Sequence, residues 1–378
     1  MKDLLRQEIA TAADTVVVKV GTRVLTRDDG RLDDEQISRL AEELNELKAS
    51  GRRVVLVSSG AVGAGMSVLK LAQRPSDLAT LQAVAAIGQT KLIEAYDRTF
   101  RRHGRHAAQV LLTAGDLNDR SRYLNVRNTL LTLVAHDAIP IINENDTVAV
   151  EELATTFGDN DRLAALVANL LRAPLLVILS DVDGLYNGDP ALPTSQLVPL
   201  VTKLDETTIA YAGKGSAGLS KGGMTSKLQA AKIVTAVGEN VIIASGHRVG
   251  VLQQIIGGEV VGTLFVAQGK SISPWKRWIG FSAQPHGKII LDDGACRAIS
   301  QQGESLLAIG ITSVVGRFGK GDVVALCNAE GRELARGLTN YPAIEVERIK
   351  GLRSDRIAQV LGQCPYQVVV HRDNLAVL

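Results

Sequence analysis

A chain of 378 residues, 46% hydrophobic and 22% charged, is too long for one ordinary core and describes a globular protein of two domains. Its formal net charge of +2 excludes the basic excess of a protein whose main work is gripping nucleic-acid phosphates, and suits small anionic substrates better. Cys296, Cys327 and Cys364 are odd in number and form no Cys-x-x-Cys pair, which excludes a disulfide scaffold and points to a reducing cytoplasm.

The first stretch, MKDLLRQEIATAADTVVVKVG, is polar before its first apolar run. No apolar stretch of the chain approaches the roughly 18 residues of a spanning helix, so neither secretion nor membrane insertion is expected. From about residue 14 to 265, short β-branched runs then alternate with helical patterns: VVVKV, DDEQISRLAEELNELKASG, RVVLVSSG, and later AIPIIN, PLLVILSD and ENVIIASG. Runs such as VVLV and LLVIL lack polar alternation, which is how strands covered on both faces read. The expected fold is α/β, with a mainly parallel central sheet and helices on both faces. Ligands of such sheets gather beyond the carboxyl ends of the strands. Past residue 275 the pattern changes to short strands with glycine turns, GKIILDDGA, SLLAIGITSVVGRFGKGDVVALCNAEGRELARGLTN and AIEVERIKG, expected to form a small C-terminal β-barrel. The expected division is 1–268 for a catalytic domain and 276–378 for the barrel.

The motifs at the strand ends carry chemistry. Lys19 is a charged residue inside VVVKVGT, and burying an unpaired ammonium is costly, so it is expected to meet an anion beside Gly21. A lysine reaching solvent from a strand end is the plainer alternative. In VVLVSSGAVGAGM, the turn at Ser58, Ser59 and Gly60 offers N–H groups and hydroxyls to a carboxylate or phosphate, or is a tight turn with no ligand. IPIINENDTVAV supplies Asn143 and Asp146, and TFGDNDRLAALVANLL supplies Asp159, Asn160 and Asp161. One of those three caps the following helix, but capping does not account for two polar clusters. Ser180 and Asp181 end PLLVILSD, where a nucleotide edge or an ordinary acidic loop fits. Finally KGSAGLSKGGMTSKLQAAK places Lys221, Gly222 and Gly223 ahead of a helix starting near Met224, with Thr225, Ser226 and Lys227 in its first turn. A cation there opposes the helix dipole, which makes sense if an anion sits at the N-terminus. Two lysines beside glycine turns point to phosphoryl transfer, where fixed cations and amide donors do most of the work. P-loop and protein-kinase spacings are absent.

Together VVVKVGT, VVLVSSGAVGAG, INENDTV, FGDNDRLAA, LSDVDGLY and GGMTSKLQAA resemble the amino-acid kinase family over nearly the whole chain, in the branch that phosphorylates glutamate for proline biosynthesis. The last hundred residues resemble a PUA domain. The resemblance implies an α/β/α sandwich and transfer of the ATP γ-phosphoryl group to the side-chain carboxylate of L-glutamate. It implies that Lys19 and Lys227 stabilise the transferring group while Asp161 holds both lysines. Gly21 and Gly60 would let amides approach the phosphates. Ser59, Asp146 and Asn160 would bind glutamate, supported by Asn143 and Asp159. Ser180, Asp181 and the stretch from Lys221 through Gly222, Gly223, Met224, Thr225 and Ser226 to Lys227 would bind ATP, with Mg2+ carried on the nucleotide and no protein ligand assigned to it. A homo-oligomer (dimer or tetramer), L-proline as feedback inhibitor, the next pathway enzyme as a partner and a cytoplasmic location follow from the same resemblance.

Two positions depart from the family: Ser180 stands where threonine is frequent, and Lys221 where a small hydroxyl residue is common. The alternatives are another kinase of this fold acting on aspartate, N-acetylglutamate or uridylate, and an RNA-binding protein acting through the PUA-like tail. Against RNA stand the tail's slight basic excess and an aromatic content of 3%.

Overall fold

The β-branched runs form strands at the expected places in the computed structural model, which describes residues 3–27, 29–148, 160–212, 223–268, 273–362 and 366–378. Eight strands, β1 (Thr15–Val20), β2 (Arg53–Ser58), β3 (Ala107–Leu112), β4 (Ile139–Glu144), β5 (Leu175–Ser180), β6 (Leu200–Val201), β7 (Asn240–Ser245) and β8 (Thr263–Phe265), make one sheet in the order β3-β4-β2-β1-β5-β7-β8-β6. β1 through β5 and β7 run parallel, whereas β8 pairs antiparallel with β7. Val20 lies level with Ser58 of β2 and Leu179 of β5, so three strand ends finish side by side. The chain leaves β1 towards β2 and later returns to its other side as β5. That reversal makes the crevice in which ligands of open α/β sheets bind.

Side chains of a strand alternate between faces, and this decides where the chemistry points. Val16, Val18 and Val20 of β1 and Val54 and Leu56 of β2 join one buried cluster with Ile37, Leu40 and Leu44 of the helix Asp34–Ala49 and with Leu92, Tyr96 and Phe100 of the helix Leu78–Arg102. Lys19 therefore faces the other side. The helix Asn160–Leu171 packs there, against β1, and is buried at Asp161 and at every position from Leu163 to Leu171. The helix Met224–Thr235 packs beside it. Ser58, two residues beyond Leu56, points back to the Tyr96 side.

Gly60 has φ of +102°, a left-handed conformation, and ends the β2 turn immediately before the helix Ala61–Leu69. That helix meets Leu78–Arg102 backbone to backbone: a methyl group built on Gly88 would lie 1.7 Å from the Ala61 carbonyl oxygen, and one on Gly65 would lie 1.9 Å from that of Val84. The two glycines thus fix the helix that starts at the Gly60 turn.

The chain folds into two compact units, Met1–Leu117 with Ser121–Ser271, and Asn118–Arg120 with Ile272–Leu378. The second holds β9 (Gly287–Leu291), β10 (Ile311–Gly316), β11 (Val323–Cys327), β12 (Glu333–Thr339) and β13 (Val370–Val377) in the order β10-β9-β11-β12-β13. All pairs are antiparallel except β9 with β11. Ile289, Leu291, Val324, Leu326 and Val370 meet in its core. AIEVERIKG, expected as a strand, is instead the helix Ala343–Ile349. Pro342 presets the entry, and the buried residues are Val346 and Ile349, three apart, while Ile344 is 78% exposed.

Replacing Gly88 with alanine should wedge the two helices apart and cost about 1–3 kcal/mol as overpacking. The denaturant midpoint reads the loss, and an unchanged midpoint would show that the helices separate freely.

Candidate active site

Asp161 carries the densest set of polar contacts at the strand ends. Its Oδ1 lies 2.5 Å from Lys19 Nζ and its Oδ2 lies 3.1 Å from Lys227 Nζ. Ser226 Oγ donates to the same Oδ2 at 2.9 Å, sharing its proton with the Gly223 carbonyl, also at 2.9 Å. Asp161 is 0% exposed, Lys19 4% and Lys227 6%. Two ammonium groups and one carboxylate therefore form a desolvated hub built from three elements: β1, the first turn of Asn160–Leu171 and the first turn of Met224–Thr235. Asp161 sits in the first turn of its helix and turns one oxygen to each lysine. Burial raises its pKa, but the charges and hydrogen bonds of Lys19 and Lys227 outweigh burial and hold it at about 2, against an ordinary 3.8.

A second group gathers one residue earlier. Asn160 Nδ2 donates to Ser59 Oγ at 2.8 Å and Asn143 Oδ1 at 2.9 Å, with the Ser58 carbonyl at 3.3 Å. Asn143 Oδ1 also accepts from the Glu144 N–H at 2.9 Å. Ser59, Asn143 and Asn160, predicted from three separate motifs, are thus joined by direct hydrogen bonds. Asp146 lies half-buried in the turn after β4. Asp159 is outside the described residues.

On the other flank, Gly21 donates its N–H to the Leu179 carbonyl at 3.1 Å, tying the ends of β1 and β5. A methyl group built on Gly21 would meet Lys19 Nζ at 3.8 Å and Leu179 O at 3.6 Å, so glycine leaves the space beside the ammonium open. Ser180 Oγ donates to Asp181 Oδ1 at 3.0 Å, and Arg23 Nη1 binds Asp181 Oδ2 at 2.9 Å. Partial burial raises the Asp181 pKa, and the bonds from Arg23 and Ser180 bring it below the usual carboxylate value. Gly223 begins the helix Met224–Thr235 with no side-chain cap. Among the described residues nothing lies within 4 Å of a methyl built on it. Met224 and Ser226 are half-buried and Thr225 is exposed. Lys221 and Gly222 fall outside the described residues. A cleft of about 160 Å³ opens beyond β5 and β7, lined by Asp183, Leu197, Ser245, Arg248, Val260 and Gly262.

The Amino acid kinase family matches residues 14–245, well over half of the chain. The chain belongs to the amino acid kinase family. Glutamate 5-kinases match nearly its whole length: that of Rhodopirellula baltica is 50% identical over 98% of this chain and 95% of its own. Those of Pelobacter propionicus (44% identical, 99% of this chain and 100% of its own) and Caldanaerobacter subterraneus (45%, 96% and 97%) are similar. A PUA domain matches residues 287–361, within the second unit. Membership makes this an ATP-dependent kinase, so the hub lies in a phosphotransferase.

Sequence reasoning missed two partners of the predicted residues. Arg23 sits two positions beyond Gly21, and its pairing with Asp181 crosses 158 residues. Tyr96 lies inside a long amphipathic helix where an aromatic reads as core, yet its hydroxyl is 3.2 Å from Ser58 Oγ. Neither has a local signal, apart from the cation following a glycine turn at Arg23.

The hub should show in acid. Because the folded carboxyl titrates below its unfolded value, its contribution is complete above about pH 4 and is lost as pH falls from 4 towards 2, about 2 kcal/mol in all. Asp161→Asn leaves two lysines buried without a counter-charge and should cost about 3–5 kcal/mol at neutral pH. Denaturant melts of both proteins from pH 6 to 2 should show the gap narrowing below pH 4; a constant gap would mean that the carboxylate's charge is not what holds the lysines.

Proposed function

We propose that this protein transfers the γ-phosphoryl group of ATP to the side-chain carboxylate of L-glutamate, giving L-glutamyl 5-phosphate and ADP, the first step of proline biosynthesis. The observation that carries the reading is the buried Lys19–Asp161–Lys227 hub beside the open space at Gly21. The full-length similarity to glutamate 5-kinases supports the choice of acceptor.

The substrate carboxylate attacks phosphorus directly, forming one P–O bond as the bond to ADP breaks, so no enzyme nucleophile is needed. Negative charge spreads over the equatorial oxygens of the moving group. Lys19 and Lys227 supply fixed cations for it, and Asp161 keeps both in place through the reaction. Gly21 and Gly60 let backbone N–H groups approach the phosphates. Ser59, Asn160 and Asp146 hold glutamate, the acidic Asp146 suiting its α-ammonium, with Asn143 and Asp159 behind them. Ser180, Asp181 and the stretch from Lys221 and Gly222 through Gly223, Met224, Thr225 and Ser226 bind the nucleotide, whose base end fits the cleft beside Asp183. Among the described residues no group of three or more His, Cys, Asp or Glu is placed to hold a metal ion. Magnesium would come in on the nucleotide phosphates and share their charge.

Residues 1–268 are the catalytic domain in this reading, and 276–378 a regulatory one. A cytoplasmic location, a homo-oligomer and feedback by L-proline belong to the same proposal. Among the described residues no helix is long and apolar enough to cross a membrane.

With ATP, magnesium and L-glutamate, the protein should consume ATP, and hydroxylamine should trap the acyl phosphate as a hydroxamate. Faster turnover with aspartate, N-acetylglutamate or uridylate would refute the acceptor. Lys227→Ala should lower kcat by about 10²–10³ with a smaller change in nucleotide affinity, as for loss of one transition-state stabiliser; near-normal turnover would make Lys227 a bystander. A chain ending at Gln268 should keep glutamate-dependent transfer and lose proline sensitivity or assembly first. A soluble, monodisperse but inactive truncation would defeat that division.

A further inference from the structure

Ser59 is held by two hydrogen-bonding arms, and only the Asn160 arm has a role in the reaction as described above. The other arm begins at Tyr96, whose side chain is fully buried in the helix Leu78–Arg102 with its ring stacked on Phe100 at 6.4 Å between centroids. Its hydroxyl lies 3.2 Å from Ser58 Oγ, and Ser58 Oγ donates to the Ser59 carbonyl at 3.1 Å. A serine hydroxyl has one proton. With that proton committed to Ser59 O, Tyr96 must be the donor to Ser58 Oγ.

The direction of the Asn160 arm follows by the same count. An amide nitrogen has two protons, and its two shortest partners are Ser59 Oγ at 2.8 Å and Asn143 Oδ1 at 2.9 Å. Ser59 Oγ therefore accepts from Asn160 and keeps its own proton to give. A hydroxyl set in this way meets an acceptor, a carboxylate oxygen, in preference to an ammonium.

We propose that Tyr96 is a positioning residue for the carboxylate substrate, acting through Ser58 on the Ser59 turn. This rests on the glutamate reading above. The Tyr96 proton pins Ser58 Oγ, Ser58 in turn pins the Ser59 carbonyl, and the Ser59 hydroxyl is thereby aimed from the backbone side while Asn160 aims it from the other. Neither Tyr96 nor Ser58 reaches the substrate.

The test is steady-state kinetics of Tyr96→Phe, which keeps the ring and removes the proton, with Ser58→Ala and the double variant alongside. Loss of one net hydrogen bond from a buried relay should raise KM for glutamate about three- to tenfold. KM for ATP should stay within twofold of wild type. The double variant should resemble either single one, because both break the same chain. Thermal melts run in parallel, since a purely structural role would lower Tm without splitting the two KM values. A glutamate KM within twofold of wild type in Tyr96→Phe, equal rises for both substrates, or additive losses in the double variant would overturn the relay. A wild-type protein that does not turn over glutamate would sink the reaction and the relay with it, whereas an active wild type with an unaltered Tyr96→Phe variant sinks the relay alone.

Discussion

Two ammonium groups drawn out of water next to one another repel strongly, and the arrangement at the strand ends exists because a single carboxylate faces both. Removing an ion from water costs several kcal/mol even after the protein relaxes around it. Lys19 and Lys227 offset that cost through Asp161, one oxygen to each. The constraint reaches far along the chain. It requires β1 to present position 19 to the side covered by Asn160–Leu171, and it requires that helix to begin within a residue of Asp161. It also requires Lys227 to fall in the first turn of Met224–Thr235, where its charge opposes the dipole. The pairing with Asp161 is the larger effect, since breaking a buried pair costs about 3–5 kcal/mol, against at most about 2 kcal/mol for the dipole in a partly buried geometry.

The alternation of β-strands then divides the labour of the site between two faces of one sheet. Lys19 looks towards the charged helices, whereas Ser58, at the end of the neighbouring strand, looks towards the apolar cluster that contains Tyr96. Beyond the strand ends the two faces meet, and Asn160 and Asp161 are consecutive, one serving each side. A single helix start therefore locks the charge hub to the hydroxyl network. The Gly65 and Gly88 contact secures the Gly60 turn from behind, with no room for a side chain at either crossing.

How much of this the sequence displays depends on the range of each interaction. The apolar runs of β1, β2 and β5 are local, and so are the glycines that follow them, so the parallel sheet and the crevice at its carboxyl ends are legible without coordinates. Lys19 is legible too, because a charge within an apolar run needs a partner, although nothing local says that the partner is Asp161. The helix Ala343–Ile349 misleads because seven residues rich in Ile and Val satisfy either period, and only the exposure of Ile344 decides between them. Arg23 and Tyr96 escape altogether. Their meaning comes from Asp181 and Ser58, which are 158 and 38 residues away, and pairings of that span leave no period to read.

The charge count of the hub bears on why a carboxylate belongs in a site built for phosphates. Two bare lysines would hold the ground-state nucleotide tightly, and affinity shared equally by ground and transition states does nothing for turnover. Asp161 cancels one of the two charges, leaving a net +1, while Arg23 already answers Asp181 at the end of β5. What remains is fixed in direction instead of large in amount. The Lys19 ammonium lies beside the space that glycine leaves open at position 21, 3.8 Å from a methyl group built there, and in the proposed reaction that is where charge accumulates as the phosphoryl group moves. In the proposed reaction a rigid arrangement of this kind would stabilise the moving group without reorganising, and its modest net charge would let the product anions leave.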